Sequence, residues 1–297
     1  MPVLIAGWLV LAALVLGPMS AQAQIRGAQY LRVPDSSRVQ VIKLGDGSSL
    51  MGRIVRVGSD SVYFQTSAGL LPLARASIAE IREVSARAAR RGQPWPADPN
   101  PTRLYFGPTA RTLPKGEAHF SDTYLFLPSA AYGVTDRLQL GGGLSVVPLD
   151  KFTDNVFFAT AKLALIQSPN AHVAVGGLVG WSGTFQDELG TGSASIGVVY
   201  GVGTFGTDDH SITLGAALPF ASGIDQHVVI QFGGETRLSR RLKLVTENYF
   251  VPGESPVVVS YGLRIFGERL GVDLAFLNST DHGVFPGLPY VDFVVRF

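Results

Sequence analysis

The chain has 297 residues, with 24 basic and 23 acidic side chains and no cysteine. This near balance of charge provides no basic surface for nucleic acid, and the lack of cysteine excludes a disulfide framework. Charged residues make up 16% of the chain, whereas soluble domains contain about 25%. A protein that is wholly exposed to water would normally carry more charge, so we expect no nucleic-acid partner and a partly lipid-exposed surface.

The first 20 residues form an apolar block that is followed by AQAQ. Small residues at alternate positions predict signal peptidase cleavage after Ala23, so residues 1–23 are expected to be a signal peptide and the remainder to be exported. No Lys or Arg precedes the block, and its length approaches the ~18 residues that a membrane helix needs. An uncleaved membrane helix is therefore the alternative.

Residues 37–84 are predicted to form a small β domain. RVQVIKL, SLMGRIVRV, SVYFQTS and LLPLARA alternate in hydropathy and are joined by short turn sequences such as GDG and GSD. The segment that follows, SIAEIREVSARAARR, places Ile78, Ile81, Val84 and Ala88 at helical spacing. We therefore expect a helix that begins near Ser77.

A proline-rich stretch divides the two halves of the chain. Pro94, Pro96, Pro99 and Pro101 fix the backbone and remove hydrogen-bond donors, which predicts an extended linker. Residues 85–103 are thus assigned to a short helix and a linker, and residues 104–297 to a second domain.

This second domain repeats one theme. Runs of about 8 to 13 residues alternate in hydropathy, and this is close to the ~9–11 residues with which a tilted strand crosses a membrane. The runs include RLQLGGGLSVV, NVFFATAKLALI, HVAVGGLVGWS, HVVIQFGGETRL, RLGVDLAFL and YVDFVVRF. In the run at 269–277, for example, the apolar face consists of Leu270, Val272, Leu274 and Phe276. Across these runs, the opposite faces carry mostly Gly, Ser, Thr and Ala with scattered charges. Such a face suits a crowded lumen better than a surface exposed to water.

The joints between the runs alternate in length. TDR, SPN, GTDD, LSRR and FGER are short, and PLDKFTDN, GTFQDELGTG, FASGIDQ, PGES and NSTDHGVFPGLP, which separate them, are mostly longer. Short turns at one end and long loops at the other are typical of up-and-down membrane barrels. The count is about twelve strands if 117–126 and 128–134 are separate; ten strands, with part of 104–134 packed as a plug or collar, is the alternative.

The chain resembles bacterial outer-membrane β-barrel proteins in its predicted export signal, its alternating runs and its alternating joint lengths. Within the small β domain, LGDGSSLMGRIVRV resembles part of an SH3-like or Sm-like small barrel. The resemblance implies an all-β fold, an antiparallel transmembrane barrel preceded by a small periplasmic β domain. It also implies a place in the outer membrane, with the lipid bilayer and the barrel-assembly machinery as partners. In that family the C-terminal strand is an assembly signal, for which Tyr290, Phe293, Val295 and Phe297 are the matching residues.

Ten charged residues are predicted to face the lumen, where they would form either a selective constriction or a network that closes the pore. They are Arg137, Lys162, Glu235, Arg237, Lys243, Glu247, Arg264, Asp273, Asp292 and Arg296. Mixed signs favour neutralising pairs.

No catalytic, cofactor or metal site is predicted, and the protein is not expected to be an enzyme. His210 and Ser211 are neighbours on a predicted strand, so they point to opposite faces, and no nucleophile motif surrounds Ser168 and His172. Two functions remain open. One is a channel or transporter for small solutes with a periplasmic accessory domain; the other is an anchoring protein whose periplasmic domain binds the cell wall or a protein partner.

The assembly signal gives the first testable prediction. Deletion of Phe297 should impair insertion into the outer membrane far more than the loss of one exposed aromatic side chain would suggest. The measurement is the fraction of heat-modifiable, folded barrel in outer-membrane fractions, with deletion of a loop residue as the control. Normal insertion of the shortened chain would contradict the assignment.

Overall fold

The computed structural model describes residues 25–26, 31–36, 38–85, 89–90, 93–149, 151–182, 195–221, 227–281 and 283–297. The chain divides into two compact units, Met1–Trp95 and Pro96–Phe297. The predicted signal peptide, residues 1–23, lies outside the described residues. Within the described ranges, no helix is both long and apolar enough to cross a membrane.

The first unit is a meander of antiparallel strands. They are β1 (Ile25–Arg26), β2 (Arg38–Leu44), β3 (Ser49–Val57), β4 (Ser61–Thr66), β5 (Gly69–Ala74) and β6 (Ile78–Ser85), in the sheet order β1-β6-β2-β3-β4-β5. A separate short pair is formed by β7 (Ala89–Arg90) and β8 (Gln93–Pro94). The four strands predicted between 37 and 84 are present. The likeness to SH3-like or Sm-like barrels stays a prediction.

The helix predicted from Ser77 is wrong over residues 78–85, which form β6; residues 86–88 and 91–92 lie outside the described ranges. The register explains the error. Lys43 pairs with Glu80 and Leu44 with Ile78, so one extra residue is inserted into β6 between them. Such a bulge brings Ile78 and Ile81, three residues apart, to the same face of a strand. Ile78 is in the core of this unit, and Ile81 packs against that core.

The core of the first unit is built from Ile42, Ile54, Val62, Phe64 and Ile78. Its one buried amide, Gln40, accepts a hydrogen bond from Ile54 N at 3.0 Å and donates one to Arg32 O at 3.1 Å.

Strand β3 bends beside β4 at a glycine. A Cβ at Gly52 would lie 2.0 Å from Gln65 O, so only glycine allows the two backbones to approach this closely.

The second unit is a closed barrel of twelve antiparallel strands, which confirms the preferred strand count and overturns the alternative of ten. The strands are β9 (Ala118–Thr123), β10 (Leu127–Gly133), β11 (Leu138–Leu144), β12 (Phe157–Gln167), β13 (Ala171–Trp181), β14 (Ser195–Gly206), β15 (His210–Phe220), β16 (Val229–Ser239), β17 (Leu242–Phe250), β18 (Val258–Phe266), β19 (Leu270–Ser279) and β20 (Leu288–Arg296). The last strand pairs with the first, with Val295 opposite Phe120. Phe297 N also donates to Ala118 O at 2.8 Å.

The predicted alternation of joint lengths is confirmed. The chain connects β10 to β11, β12 to β13, β14 to β15, β16 to β17 and β18 to β19 through two to four residues each, at the end of the barrel where β9 begins. This end is called the short-turn end. Apart from the tight turn between β9 and β10, the connections at the opposite end, the loop end, are longer.

The predicted outward face is also confirmed. Leu270, Leu274 and Phe276 are exposed, while Asp273 between them is buried. Other exposed outward residues along the barrel include Leu140, Leu163, Val175, Val199, Ile212, Leu214, Phe232, Leu244, Leu263 and Ile265. Because a continuous apolar exterior around a polar interior suits lipid rather than water, the second unit is a transmembrane β-barrel.

A charge placed on this exterior should destabilise the barrel. Leu214 lies near the middle of β15 and is 52% exposed. Leu214→Arg should lower the free energy of unfolding by about 2–4 kcal/mol, the cost of Arg at a bilayer midplane. The measurement is urea unfolding of the protein in lipid vesicles.

Leu70 in the first unit provides the matched control, since it is 51% exposed. Leu70→Arg should change stability by no more than about 0.5 kcal/mol, as is usual at a surface exposed to water. Equal effects of the two substitutions would contradict a lipid-facing exterior.

Candidate functional site: a plugged barrel lumen

Residues 98–113 lie inside the barrel rather than forming a linker outside it, and this segment is called the plug. Its two limbs run side by side. Thr109 N donates to Thr102 O at 3.0 Å, and Leu104 N donates to Gly107 O at 2.9 Å where the chain reverses. The barrel unit begins at Pro96. The linker assignment is therefore wrong for residues 98–103, and the plug considered in the ten-strand alternative is present at residues 104–113.

The proline content that suggested a linker also explains why the plug can pack in a lumen. Pro99, Pro101 and Pro108 have no backbone N–H, so fewer donors need a partner there. Their neighbours' carbonyls accept bonds from charged side chains of the wall. Lys162 Nζ donates to Thr102 O at 2.8 Å and to Thr109 O at 3.1 Å, and so joins both limbs.

The tip of the plug is held by one carboxylate of the wall. Glu247 Oε2 accepts from Tyr105 N at 2.7 Å, and Oε1 accepts from Phe106 N at 3.2 Å. Gly107 N lies 3.1 Å from both oxygens, and Tyr249 Oη donates to Oε1 at 2.6 Å. Charge-assisted bonds of this kind are stronger than neutral ones, so Glu247 fixes the position of the tip.

Gly107 lies very close to the wall. A Cβ at this position would lie 2.4 Å from both Gln231 Nε2 and Tyr249 Oη. A larger residue would therefore have to displace these two side chains or the tip itself.

A cluster of buried ions joins the base of the plug to the wall. Arg264 Nε lies 2.6 Å from Asp273 Oδ1, and its Nη1 lies 3.1 Å from Asp98 Oδ2. Lys243 Nζ lies 2.8 Å from Asp98 Oδ2 and 3.0 Å from Glu235 Oε1. Glu235 Oε1 is also 3.3 Å from Arg111 Nη1 of the plug. The cluster therefore contains three carboxylates and three cations, and its charges balance.

The last strand contributes a third group of contacts. Asp292 accepts from Arg103 Nη2 at 2.6 Å and from Thr123 Oγ1 at 2.8 Å. The Tyr290 ring lies 5.3 Å from the ring of Tyr105 and 4.7 Å from that of Phe106, measured between centroids. Tyr290, predicted as part of the assembly signal, thus points inward against the plug.

A cavity of about 500 Å³ remains between the plug and the opposite wall. The plug side of this cavity includes Thr102, Arg103 and Phe106, and the wall side comes mainly from β10 to β16. Its polar groups include Lys162 and His119, while much of the wall is glycine, alanine and aliphatic side chains. The lumen is therefore divided between an ionic half that holds the plug and a more apolar half that is open space.

Nine of the ten predicted lumen charges lie on inward-facing positions of the wall. Eight of them contact the plug directly: Lys162, Glu235, Lys243, Glu247, Arg264, Asp273, Asp292 and Arg296. Asp273 binds Arg264 and lies 3.4 Å from Asn100 Nδ2. Arg237 pairs with Asp209, and its Nη2 donates to Pro96 O at 3.0 Å, while Arg296 pairs with Glu117. Arg137 is the exception, because it lies exposed in the short turn between β10 and β11.

The plug's own functional residues were missed from the sequence. Asp98, Arg103 and Arg111 are charged, and all three bind the wall. The signal that could have identified them is the composition of the segment. An Asp, an Asn and two Arg residues lie among prolines and apolar residues, shortly before the first barrel strand.

Comparisons with known proteins provide no family assignment. No family model matches the chain, and no curated protein matches it. Among solved structures, it is similar to the KdgM porin, with 10% identity, a TM-score of 0.43 and coverage of 61% of this chain and 96% of that chain. It is also similar to a loop-deletion mutant of OmpT, an outer membrane protein of Vibrio cholerae, with 13% identity, a TM-score of 0.33 and coverage of 88% and 96%. For OccD1 (OprD) the identity is 10%, the TM-score 0.33 and the coverage 93% and 99%. The barrel fold described above rests on strand pairing and not on these similarities.

Loss of the central arginine should destabilise the plugged barrel. Arg264→Met leaves Asp98 and Asp273 buried with less compensation, and the expected loss is about 3–5 kcal/mol in the free energy of unfolding. Urea unfolding in lipid vesicles measures it.

Arg269→Met, at an exposed position in the turn between β18 and β19, is the matched control and should have little effect. Adding Asp273→Asn to Arg264→Met should recover part of the loss, because the cluster then contains two carboxylates and two cations and its charges balance again. A loss that is the same with and without Asp273→Asn would contradict the electrostatic explanation.

Proposed function

We propose that this protein is an outer-membrane barrel that passes small solutes through its lumen, and that the plug controls this passage. The observation that carries the proposal is the cavity of about 500 Å³ inside the barrel, bounded on one side by the plug. Barrels whose lumen is occupied by an internal segment are an established type of membrane barrel. Lumen charges then tune which solutes pass.

The topology supports a plug that can be displaced. The closed sheet consists of β9 to β20 alone, so the plug contributes no strand to the barrel. The ion pairs and hydrogen bonds that hold it can be replaced by water in an aqueous lumen, unlike strand pairing in lipid. Movement of the plug would leave the barrel wall closed.

The short-turn end is proposed to face the periplasm, as is usual for barrels of this kind. Pro96, the first residue of the barrel unit, binds Arg237 near that end. On this proposal the first unit is periplasmic and binds the cell wall or a protein partner. The barrel-assembly machinery would recognise the last strand, on which Phe293 is exposed at the barrel exterior.

A purely structural anchor is the second candidate, and the balanced ion cluster favours it. Glu247 holds the tip, and three carboxylates pair with three cations at the base, so the charges of this closure balance. A barrel that never opens would need only this arrangement.

Conductance in planar bilayers tests the proposal. Replacement of residues 98–113 by a Gly/Ser stretch of equal length should give stable single-channel steps, because the lumen is emptied while the wall is kept. The natural protein should give rarer steps. Heat-modifiable mobility on gels first verifies that each variant is folded. Silence of a folded, plugless barrel would contradict a solute pathway and favour the anchor.

Locking the plug provides the complementary experiment. The chain has no cysteine, and Ala110 N lies 2.9 Å from Thr204 Oγ1, so Ala110→Cys with Thr204→Cys puts one thiol on the plug and one on the wall strand that contacts it. Oxidation of this pair should abolish the steps of the natural background, and reduction should restore them. The single-cysteine variants should not respond. Steps that persist in the oxidised pair would show that the plug does not control passage.

A further inference from the structure

We propose that the cavity beside the plug is a binding site for an amphipathic carboxylate, a molecule with one carboxylate group and an apolar chain of medium length. The inference deepens the proposed function by naming a class of solute, and in that sense rests on it. The site itself is argued from the cavity alone and is tested by binding rather than by transport.

The accessible surface of the cavity is mostly apolar. Inward-facing positions on β13 to β16 that border it include Leu178, Val198, Ala217, Pro219 and Val229. A lumen that only conducts water and ions is normally polar. Small-molecule sites, in contrast, combine predominantly apolar walls with a few placed polar groups, in cavities of about 300–1,000 Å³. The volume of about 500 Å³ falls in that range.

A buried cation without a carboxylate partner borders the same cavity. Lys162 is 4% exposed, and none of the ion pairs among the described residues includes it. Its ammonium group has three N–H donors, of which two are given to Thr102 O and Thr109 O. One donor remains for a ligand, and no carboxylate among the described residues balances a charge on the ammonium group. Burying such a charge is costly unless an anion compensates it.

Two more nitrogen groups lie on the lining of the cavity. His119 is 5% exposed, and its Nδ1 has no hydrogen-bond partner among the described residues. Arg103 binds Asp292 through Nη2, but its Nε is buried and likewise has no partner in the described part of the chain. Both residues border the cavity together with Lys162. Nitrogen-rich polar groups and an apolar wall in one cavity match a ligand with an anionic head and an apolar tail.

The chemistry excludes simpler ligands. An uncharged apolar molecule would leave the charge of Lys162 uncompensated, and a small hydrophilic anion would leave the apolar wall uncovered. Because Lys162 also holds both limbs of the plug, a carboxylate bound at its third donor would draw the ammonium group away from the plug carbonyls, since charge-assisted bonds are the stronger ones. Ligand binding and the position of the plug would therefore be coupled.

Saturation binding of radiolabelled decanoate to the full chain in nanodiscs tests the site, with empty nanodiscs subtracted. Decanoate should bind saturably. Decanol, which lacks the carboxylate, and gluconate, which lacks the apolar chain, should each bind at least about tenfold more weakly, because each loses one of the two contacts. Lys162→Met should weaken decanoate binding by at least about tenfold for the same reason. Lys115→Met, at an exposed position just after the plug, should leave it unchanged.

A second pair of variants tests the apolar wall and guards against misfolding. Ala217 faces the cavity, and its neighbour Leu218 faces outward. Ala217→Trp should fill the cavity and abolish saturable binding, whereas Leu218→Trp should bind as the natural protein does. Heat-modifiable mobility selects the folded variants.

The outcomes separate the two proposals. Three outcomes would each overturn the site. They are the absence of saturable decanoate binding, decanoate binding to Lys162→Met or Ala217→Trp that is as tight as to the natural protein, and gluconate binding that is as tight as decanoate binding. Saturable binding with a plugless barrel that stays silent in bilayers would keep the site and overturn the solute pathway.

Discussion

The guanidinium group of Arg264 is the interaction on which the lumen depends. It is fully buried, and it contacts Asp273 of the wall, Asp98 of the plug and the carbonyls of Asn100 and Leu104 at 2.5–3.1 Å. A planar fork with five fixed donors can join a wall carboxylate to two separate points of a backbone. Arg264 thereby sets how far the plug enters the barrel, and Glu247 can meet the tip only because the base is placed in this way.

The division of the lumen follows from that placement. The base and the tip of the plug lie against β16 to β20, which carry most of the wall charges. Lys162 of β12 and Thr204 of β14 also bind the plug, and open space remains along β10 to β16. If the plug moved out, the predicted inward charges of the wall would be five cations (Lys162, Arg237, Lys243, Arg264 and Arg296) and four carboxylates (Glu235, Glu247, Asp273 and Asp292). Asp209 and Glu117 pair with Arg237 and Arg296, so no large excess of either sign remains. On the proposed function, such a lumen would select weakly by charge, which leaves shape and apolar surface as the main basis of discrimination.

Alternation predicted most of the barrel because lipid and lumen impose opposite demands on successive residues of a strand. The strand number, the joint lengths and nine of the ten lumen charges follow from that constraint, and Arg137 was misplaced because a turn residue obeys no alternation. The plug escaped prediction for a physical reason. An extended, proline-rich segment has the same local sequence whether water or side chains of the barrel wall satisfy its carbonyls. Asp98 and Arg111 could therefore be interpreted only once their partners, more than 100 residues away, were in place.

The use of ions rather than an apolar seal has a consequence for reversibility. Buried ion pairs add little net stability, because desolvation of each charge offsets much of the attraction. Their geometry nevertheless specifies one register, since a shifted plug would leave Asp98 or Arg111 unpaired. In an open lumen the same charges would be hydrated again, so the free-energy difference between the plugged and unplugged barrel is smaller than the number of contacts suggests. A well-packed apolar plug would lack this compensation, because moving it would expose its surface to water. A closure built from this cluster is therefore accurate in position, and its release would cost less free energy than that of a well-packed apolar plug.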